Sequence, residues 1–512
     1  MQTANKVLLN TVILYTKIVV NMLISLISVP LILRALGESD YGVYNLVAGV
    51  VSMLAFLNSS MSISTQRFLS VAIGENNLNR LIEIYNASIV LHLAIGAIVV
   101  IGFEICGLFL FDGFLNIEPE RIAPAKIIYQ FLVVSTFFTI LSVPYGAILN
   151  AKENMLAFSV IGIIEALLKL LLALYLGFCR FDRLIVYGLG MALLAISITL
   201  MNRVYIRYKY KEFRFEPSKF LKKTTFNEML GFAGWNTLGS VAMIGRNQGI
   251  AIILNLFFGT VVNAAYGIAN QINGVLNYFS ITFQRALNPQ LMQSEGMRDR
   301  DRLIRISLIS SKFSVLVLSF FAIPLIIEMS YVLDLWLKDV PAYTLRLSQL
   351  ILVLSIVFQY SMGLMSSIQA VGKIRNYFLI ISVLILLNLP ISYFLLKNGY
   401  PPYSCIITFI CIEVVSFVVR LYMATKLTGL KAKDFLTQVV VPTLFVFTCA
   451  IIPALTIHYF MNESFARLVC VCMVYAVVFI ITAWRFAINE SQRQYALNNL
   501  LKLKKYLPGK NE

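Results

Sequence analysis

At 512 residues, 59% hydrophobic and 13% charged, with a formal net charge of +17, the chain is too apolar to be a soluble multidomain protein. Lipid must solvate most of it, so the long uncharged runs read as spanning helices. A crossing takes roughly 20 apolar residues, with every backbone group bonded inside the segment. The positive charge is explained by loop bias and by attraction to anionic headgroups, and it calls for no nucleic-acid partner.

The first run, from Val7 to Leu33, is longer than a signal h-region and no small-residue cleavage site closes it, so it reads as the first spanning helix. Further spans are predicted near 41–64, 84–111, 125–149, 158–178 and 184–206. A second series follows near 229–257, 262–287, 306–333, 345–370, 376–396, 402–423, 437–460 and 466–486. The predicted fold is an all-α polytopic membrane protein of about fourteen transmembrane helices. Its domains are a six-helix bundle over 1–206, a basic cytoplasmic linker over 207–228, a second six-helix bundle over 229–425, and two extra helices with a basic tail over 426–512.

Lys and Arg accumulate in cytoplasmic loops. One side of the predicted topology carries Lys6, Arg67, Arg80, Lys152, the run from Arg207 to Lys223, Arg298, Arg300, Arg302, Arg305, Lys373, Arg375, Lys426, Lys431, Lys433 and the tail Lys502, Lys504 and Lys505. The opposite loops are short and richer in acid, with Glu38, Asp40, Asp112, Glu118, Glu120, Asp182, Asp334 and Asp339. Both termini are therefore expected in the cytoplasm.

The halves repeat. Tyr41-Gly42-Val43-Tyr44-Asn45 and the ending Ser62-Ile63-Ser64-Thr65-Gln66-Arg67 in the second span match Tyr266-Gly267-Ile268-Ala269-Asn270 and Ser280-Ile281-Thr282-Phe283-Gln284-Arg285 in the eighth. With six spans between the copies they point the same way, which predicts two bundles related by a pseudo-two-fold axis along the membrane normal and a substrate path between them.

Polar residues recur at helical spacing. Asn10, Lys17, Asn21 and Ser28 fall within about 20° of one line on the first helix. Asn45, Ser52, Ser59 and Gln66 follow at heptad intervals on the second, and Asn263, Asn270, Asn277 and Gln284 do so on the eighth. Such stripes line a hydrated cavity or make interhelical hydrogen bonds. Arg246 stands alone within the seventh span, where an arginine costs roughly 2.5 to 3.5 kcal/mol to insert. It contacts a substrate there, or pairs with an intramembrane carboxylate such as Glu104, Glu328 or Glu413. Lys17 lies nearer the cytoplasmic face, where its stem could also snorkel. Arg67 and Arg285 end the matched helices, as anchors or as guards of the inner mouth. Glu165 with Lys169 and Glu413 with Arg420 are spaced to neutralise each other.

Nothing in the chain reads as a catalytic centre. The nearest approach to a P-loop, Ser367 to Ile374, lacks its first Gly and its final Ser or Thr. The external loops are too short to hold a separate catalytic domain. With two histidines and no clustered Cys, His and carboxylate set, no metal and no cofactor is expected, and the seven cysteines read as free apolar residues.

In Ala35-Leu36-Gly37-Glu38-Ser39-Asp40-Tyr41-Gly42-Val43-Tyr44-Asn45, Ser64-Thr65-Gln66-Arg67-Phe68, Gly234-Trp235-Asn236, Asn247-Gln248-Gly249, Phe257-Phe258-Gly259, Asn263 to Ala269 and Asn288-Pro289-Gln290, the chain resembles the polysaccharide (O-antigen) flippases of the multidrug/oligosaccharidyl-lipid/polysaccharide exporter superfamily. The resemblance implies a 12 + 2 helix fold like that of multidrug and toxin exporters, in a bacterial inner membrane. It implies alternating access that carries an undecaprenyl-diphosphate-linked oligosaccharide, an O-antigen, capsule or exopolysaccharide unit, to the outer leaflet. On that reading Lys17 and Arg246 meet the diphosphate, while Asn21, Ser59, Gln66, Asn270, Asn277 and Gln284 hydrogen-bond sugar, with Arg67 and Arg285 at the inner mouth. The last two helices border a groove for the polyprenyl tail. Membrane lipids, a polysaccharide polymerase and glycosyltransferases are the further partners implied. The competing readings are a cation-coupled multidrug or small-molecule exporter of the same superfamily, which wants an intramembrane carboxylate in the first half, and a membrane-embedded sugar-transfer enzyme.

Overall fold

The computed structural model describes residues 2–52, 55–110, 119–337 and 339–488, with 490 and 493. Asp112, Glu118, Lys502, Lys504 and Lys505 lie outside the described residues, as do the side chains of Lys6, Glu38, Asn45, Ser52, Ser59 and Lys219. Every regular element among the described residues is helical. In chain order they are α1 (Gln2–Ser52), α2 (Ala55–Gly74), α3 (Leu78–Phe109), α4 (Pro119–Ala151), α5 (Met155–Phe178), α6 (Arg183–Lys209), α7 (Pro217–Phe220), α8 (Lys223–Gly296), α9 (Arg300–Ile327), α10 (Met329–Leu337), α11 (Thr344–Gln359), α12 (Met362–Val371), α13 (Arg375–Lys397), α14 (Ser404–Thr428), α15 (Ala432–Phe435), α16 (Val441–Phe460) and α17 (Phe465–Thr482).

Among the described residues, 11 helices are long and apolar enough to cross a membrane, or 12 if the bent pair α11 and α12 is one span. Hydropathy predicts about fourteen; the bend between α11 and α12 and the single course of α8 through two apolar runs account for two of the difference, and the predicted span 41–64 crosses residues outside the description. Two glycines break the backbone of the long helices. Gly37 (φ 79°, ψ 169°) interrupts α1 and Gly259 (φ 74°, ψ −164°) interrupts α8. A residue without Cβ adopts this conformation at little steric cost. Both breaks fall where the first and second apolar runs of a half meet, and at Gly259 the two runs share one kinked helix.

Contacts divide the chain into two units. One holds Leu8–Ser240 and Met292–Arg298; the other holds Val241–Leu291 and the chain from Asp299 onward. In the first, Ile32 and Val47 of α1, Phe103 of α3, Ile128 and Tyr129 of α4, Leu176 of α5 and Leu184 of α6 are buried in one cluster. The outer face of α3 instead exposes Ile98, Ile101, Ile105 and Leu108, a surface that water would not tolerate and lipid does. Charges fasten the backbone near Gly37. Arg183 Nη1 donates to the Ala35 carbonyl at 2.9 Å. Arg121 meets Asp40 at 2.9 Å and Asp182 at 2.8 Å, and Asp182 also caps α6 by accepting from the amides of Leu184 and Ile185. The first turns of α8 pack on α2, where the Ser60 and Ser240 hydroxyls lie 3.1 Å apart and Ser64 donates to the Met229 carbonyl at 3.2 Å.

In the second unit, Leu254 and Ala265 of α8 are buried with Leu347 and Ile351 of α11 and with Cys405 and Ile406 of α14. The break at Gly259 is flanked by rings rather than charges: Phe257 lies 5.3 Å from Tyr393, and Phe258 6.3 Å from Tyr343. The last two long helices, α16 and α17, pack on α9 through Val315, Phe447, Ala450, Val471 and Tyr475. At one end of this trio the buried carboxylate of Glu328 accepts from Arg467 Nη2 at 2.9 Å and lies 2.7 Å from His458 Nδ1. At the other end Lys312 Nζ donates to the Ala487 carbonyl at 2.7 Å.

Candidate functional site

Arg246 lies on α8 before the Gly259 break, and only 5% of it is exposed. Its guanidinium carbon sits 3.5 Å from the centroid of the Phe409 ring on α14, and Nε donates to Asn247 Oδ1 at 3.2 Å. The three carboxylates that would neutralise it are all engaged elsewhere. Glu104 accepts from Gln130 at 3.1 Å, Glu328 belongs to Arg467 and His458, and Glu413 is bonded to Arg420. The sequence left open an ion pair for Arg246; the structure instead holds this cation by a ring face and an amide. A cation–π contact is worth about 2 kcal/mol when desolvated, and Arg246 forms no ion pair among the described residues.

Phe409, Glu413 and Arg420 lie within about 40° of one line on α14, so one face of that helix carries the ring and the buried pair. Both members of the pair are 1% exposed. Arg420 Nη1 also donates to Ser361 Oγ at 3.0 Å, where α11 gives way to α12. Phe409 is the partner that reading by charge alone misses; its spacing of four and eleven from Glu413 and Arg420 is the signal that points to it.

Lys17 has a corresponding setting in the first unit. Its Nζ is 4.0 Å from the centroid of Phe158 on α5. Gly162, one turn along, leaves the space for it, because a Cβ there would overlap Lys17 Cε. The polar stripe of α1 therefore runs along protein. Asn10 donates to the Glu153 carbonyl at 3.3 Å, Ser28 turns back to the Ile24 carbonyl at 2.8 Å, and Asn21 buries an Oδ1 that accepts no hydrogen bond. Farther along the same line of α5, Lys169 donates to Glu165 at 2.7 Å. That pair lines a cavity of about 290 Å³ with Ser135, Thr139 and Ser142 of α4 and Thr199 of α6.

The remaining predicted residues divide by role. Asn277 donates to Ser355 Oγ at 3.2 Å and accepts from Gln359 at 2.8 Å. Gln284 donates to Ser314 Oγ at 3.1 Å and accepts from Ser366 at 3.4 Å. These two amides bind α8 to α9, α11 and α12. Asn270 is exposed, with its amide donating to the Tyr266 carbonyl at 2.9 Å. Gln66 is partly buried, and the Arg67 guanidinium beside it lies 4.7 Å from the ring centre of Phe68 and 5.0 Å from that of Phe232. Arg285 is exposed. Lys17, Asn21, Gln66 and Arg67 thus belong to the first unit, and Arg246, Asn270, Asn277, Gln284 and Arg285 to the second.

The profile of the polysaccharide biosynthesis protein family matches residues 7–295. No curated protein matches the chain. Among solved structures, an outward-facing multidrug resistance MATE family transporter of the MOP superfamily superposes with a TM-score of 0.72 at 14% identity, covering 84% of this chain and 97% of that one. A MOP superfamily transporter from Pyrococcus furiosus, described as having a binding pocket of reverse polarity that suggests a different function, superposes at 0.70 and 14% identity over 85% of this chain and 96% of its own. A MATE protein in its bent conformation gives 0.70 at 13% identity, over 84% and 97%. At such identities the likeness establishes a MATE-like fold.

Proposed function

The chain belongs to the polysaccharide biosynthesis protein family, and from that premise we propose that it is a flippase. Its cargo on this reading is an undecaprenyl-diphosphate-linked oligosaccharide, carried from the cytoplasmic to the outer leaflet of a bacterial inner membrane by alternating access. The observation that carries the reading is Arg246, a buried cation held on Phe409 that forms no ion pair among the described residues. A diphosphate is the ligand such a group suits, since a guanidinium offers forked donors to phosphate oxygens and a desolvated charge gains most from an opposite one. Lys17 adds a second cation near a second ring. Exposed Asn270 and partly buried Gln66 supply sugar-binding amides. Family and fold are those of membrane transporters rather than enzymes. The basic loops put both termini in the cytoplasm by the positive-inside rule.

The structural neighbours favour a second reading, a cation-coupled multidrug exporter. Such a machine wants an intramembrane carboxylate available to a cation. In the first half Glu165 is committed to Lys169, whereas Glu104 accepts, among the described residues, only from the neutral amide of Gln130 and is the carboxylate on which this reading rests.

The test is leaflet accessibility of a lipid-linked oligosaccharide in proteoliposomes, comparing the intact chain with folded Arg246→Ala and Lys17→Ala. Translocation by the intact chain that either substitution abolishes supports the flippase. Failure to translocate several lipid-linked sugars, with small-cation efflux in their place, moves the assignment to the exporter.

A further inference from the structure

The largest cavity described in the first unit, about 850 Å³, lies away from Lys17, between α3, α4 and α6 under the segment that follows α6. Its floor and roof are built. Asn86 of α3, fully buried, donates to the Arg214 carbonyl at 3.2 Å and accepts from the Glu216 amide at 2.7 Å. Phe213 is buried edge-on to Tyr85, with ring centres 5.3 Å apart. The chain after α6 is thereby folded back over the helix ends, and it brings its charges with it.

The cavity has two chemically distinct halves. One is lined by Arg203, Arg207, Lys211 and Arg214, with Glu216 the one carboxylate among the lining residues. None of the four is ion-paired among the described residues, and the nearby Glu212 is taken by Lys152 at 3.1 Å. The other half is lined by Ile89, Leu93, Phe138, Leu141 and Leu200. Along α3, Tyr85 and Leu93 are separated by about 12 Å of helix rise, and Leu93 and Leu200 are 40% and 50% exposed. The apolar half therefore opens sideways, at a depth where lipid tails lie, while the cations sit at headgroup depth.

We propose that this cavity is a binding site for an anionic phospholipid of the leaflet that faces the basic loops. A phosphodiester headgroup is held by the arginines and an acyl chain fills the apolar half. Clustered Lys and Arg at a helix–headgroup boundary recognise anionic lipid, and the volume is that of a small-molecule site. A soluble phosphate compound would use only the first half, and a zwitterionic lipid would gain less than an anionic one from a lining of four cations and one carboxylate. The site is independent of the transported cargo, since neither Lys17 nor Arg246 lines it.

Delipidated full-length protein, titrated with phosphatidylglycerol, phosphatidylethanolamine or glycerol 3-phosphate and followed by native mass spectrometry, tests this. Phosphatidylglycerol is expected to be retained in preference to both others. Removing Arg203, Arg207 and Arg214 together as alanines should weaken it by roughly fivefold per arginine. Leu93→Trp, which narrows the apolar half and leaves every charge in place, should weaken it too, whereas Lys426→Ala, Lys431→Ala and Lys433→Ala together should not. Equal retention of the two lipids, competition by glycerol 3-phosphate as strong as by phosphatidylglycerol, or indifference to the arginine variant or to Leu93→Trp would each overturn the assignment.

Discussion

Lys17 and Arg246 are each set against a phenylalanine ring, on Phe158 and Phe409, and each ring belongs to a helix that carries its own acid–base pair. The two settings differ in burial. Glu165 and Lys169 are 37% and 42% exposed and line a hydroxyl-rich cavity, whereas Glu413 and Arg420 are both 1% exposed. The same formal inventory, two cations and one carboxylate, is partly exposed in one unit and dry in the other. Where it is dry, the pair is a structural commitment, because a charge without its partner cannot be resolvated. Where it is partly exposed beside a hydroxyl-lined cavity, each member can be solvated there and the pair is worth less.

Substitutions can break that comparison, and the largest expected effect is at Glu413. Glu413→Gln strands Arg420 in the interior and should cost about 3 to 5 kcal/mol, read as a lower unfolding midpoint in detergent. If the midpoint is unmoved, the pair is not dry. Arg246→Ala should reduce translocation by roughly tenfold or more, as expected for loss of a charged hydrogen bond to the cargo, with Arg246→Lys intermediate because an ammonium keeps the charge and loses the fork. Next come the backbone breaks. Gly259→Ala and Gly37→Ala meet no neighbour within 4 Å but must hold φ near +74° and +79°, a strain of about 1 to 2 kcal/mol each. Thermal unfolding would measure it, and a null result would mean that the helices straighten without penalty. The smallest effect belongs to Glu165→Gln, under about 1 kcal/mol by the same unfolding measurement. A loss there as large as at Glu413 would erase the contrast between the two units.

Much of the architecture was legible because it is local. An apolar run long enough to span declares itself in a window of residues, and the alternation of such runs with basic and acidic loops needs no knowledge of what packs where. The neutralising pairs at i, i+4 and i, i+7 were legible for the same reason, and both are present. Span counting was less secure at Gly259, where one helix continues through two apolar runs and the turn is made by a single φ.

The chain by itself thus determined solvent, helical class, family and the presence of intramembrane cations, all of them properties of composition and spacing. The tertiary structure decided which partner each polar group received. Arg246 is held by a ring on α14 rather than by Glu328, which is claimed by Arg467 and His458 of the last two helices. Asn277 and Gln284, spaced like cavity residues, are spent on neighbouring helices. Helical periodicity specifies which residues share a face, but the element that covers the face depends on how distant segments rotate and pack, and hydrogen bonds in a low-dielectric interior go to whichever group that packing brings within reach.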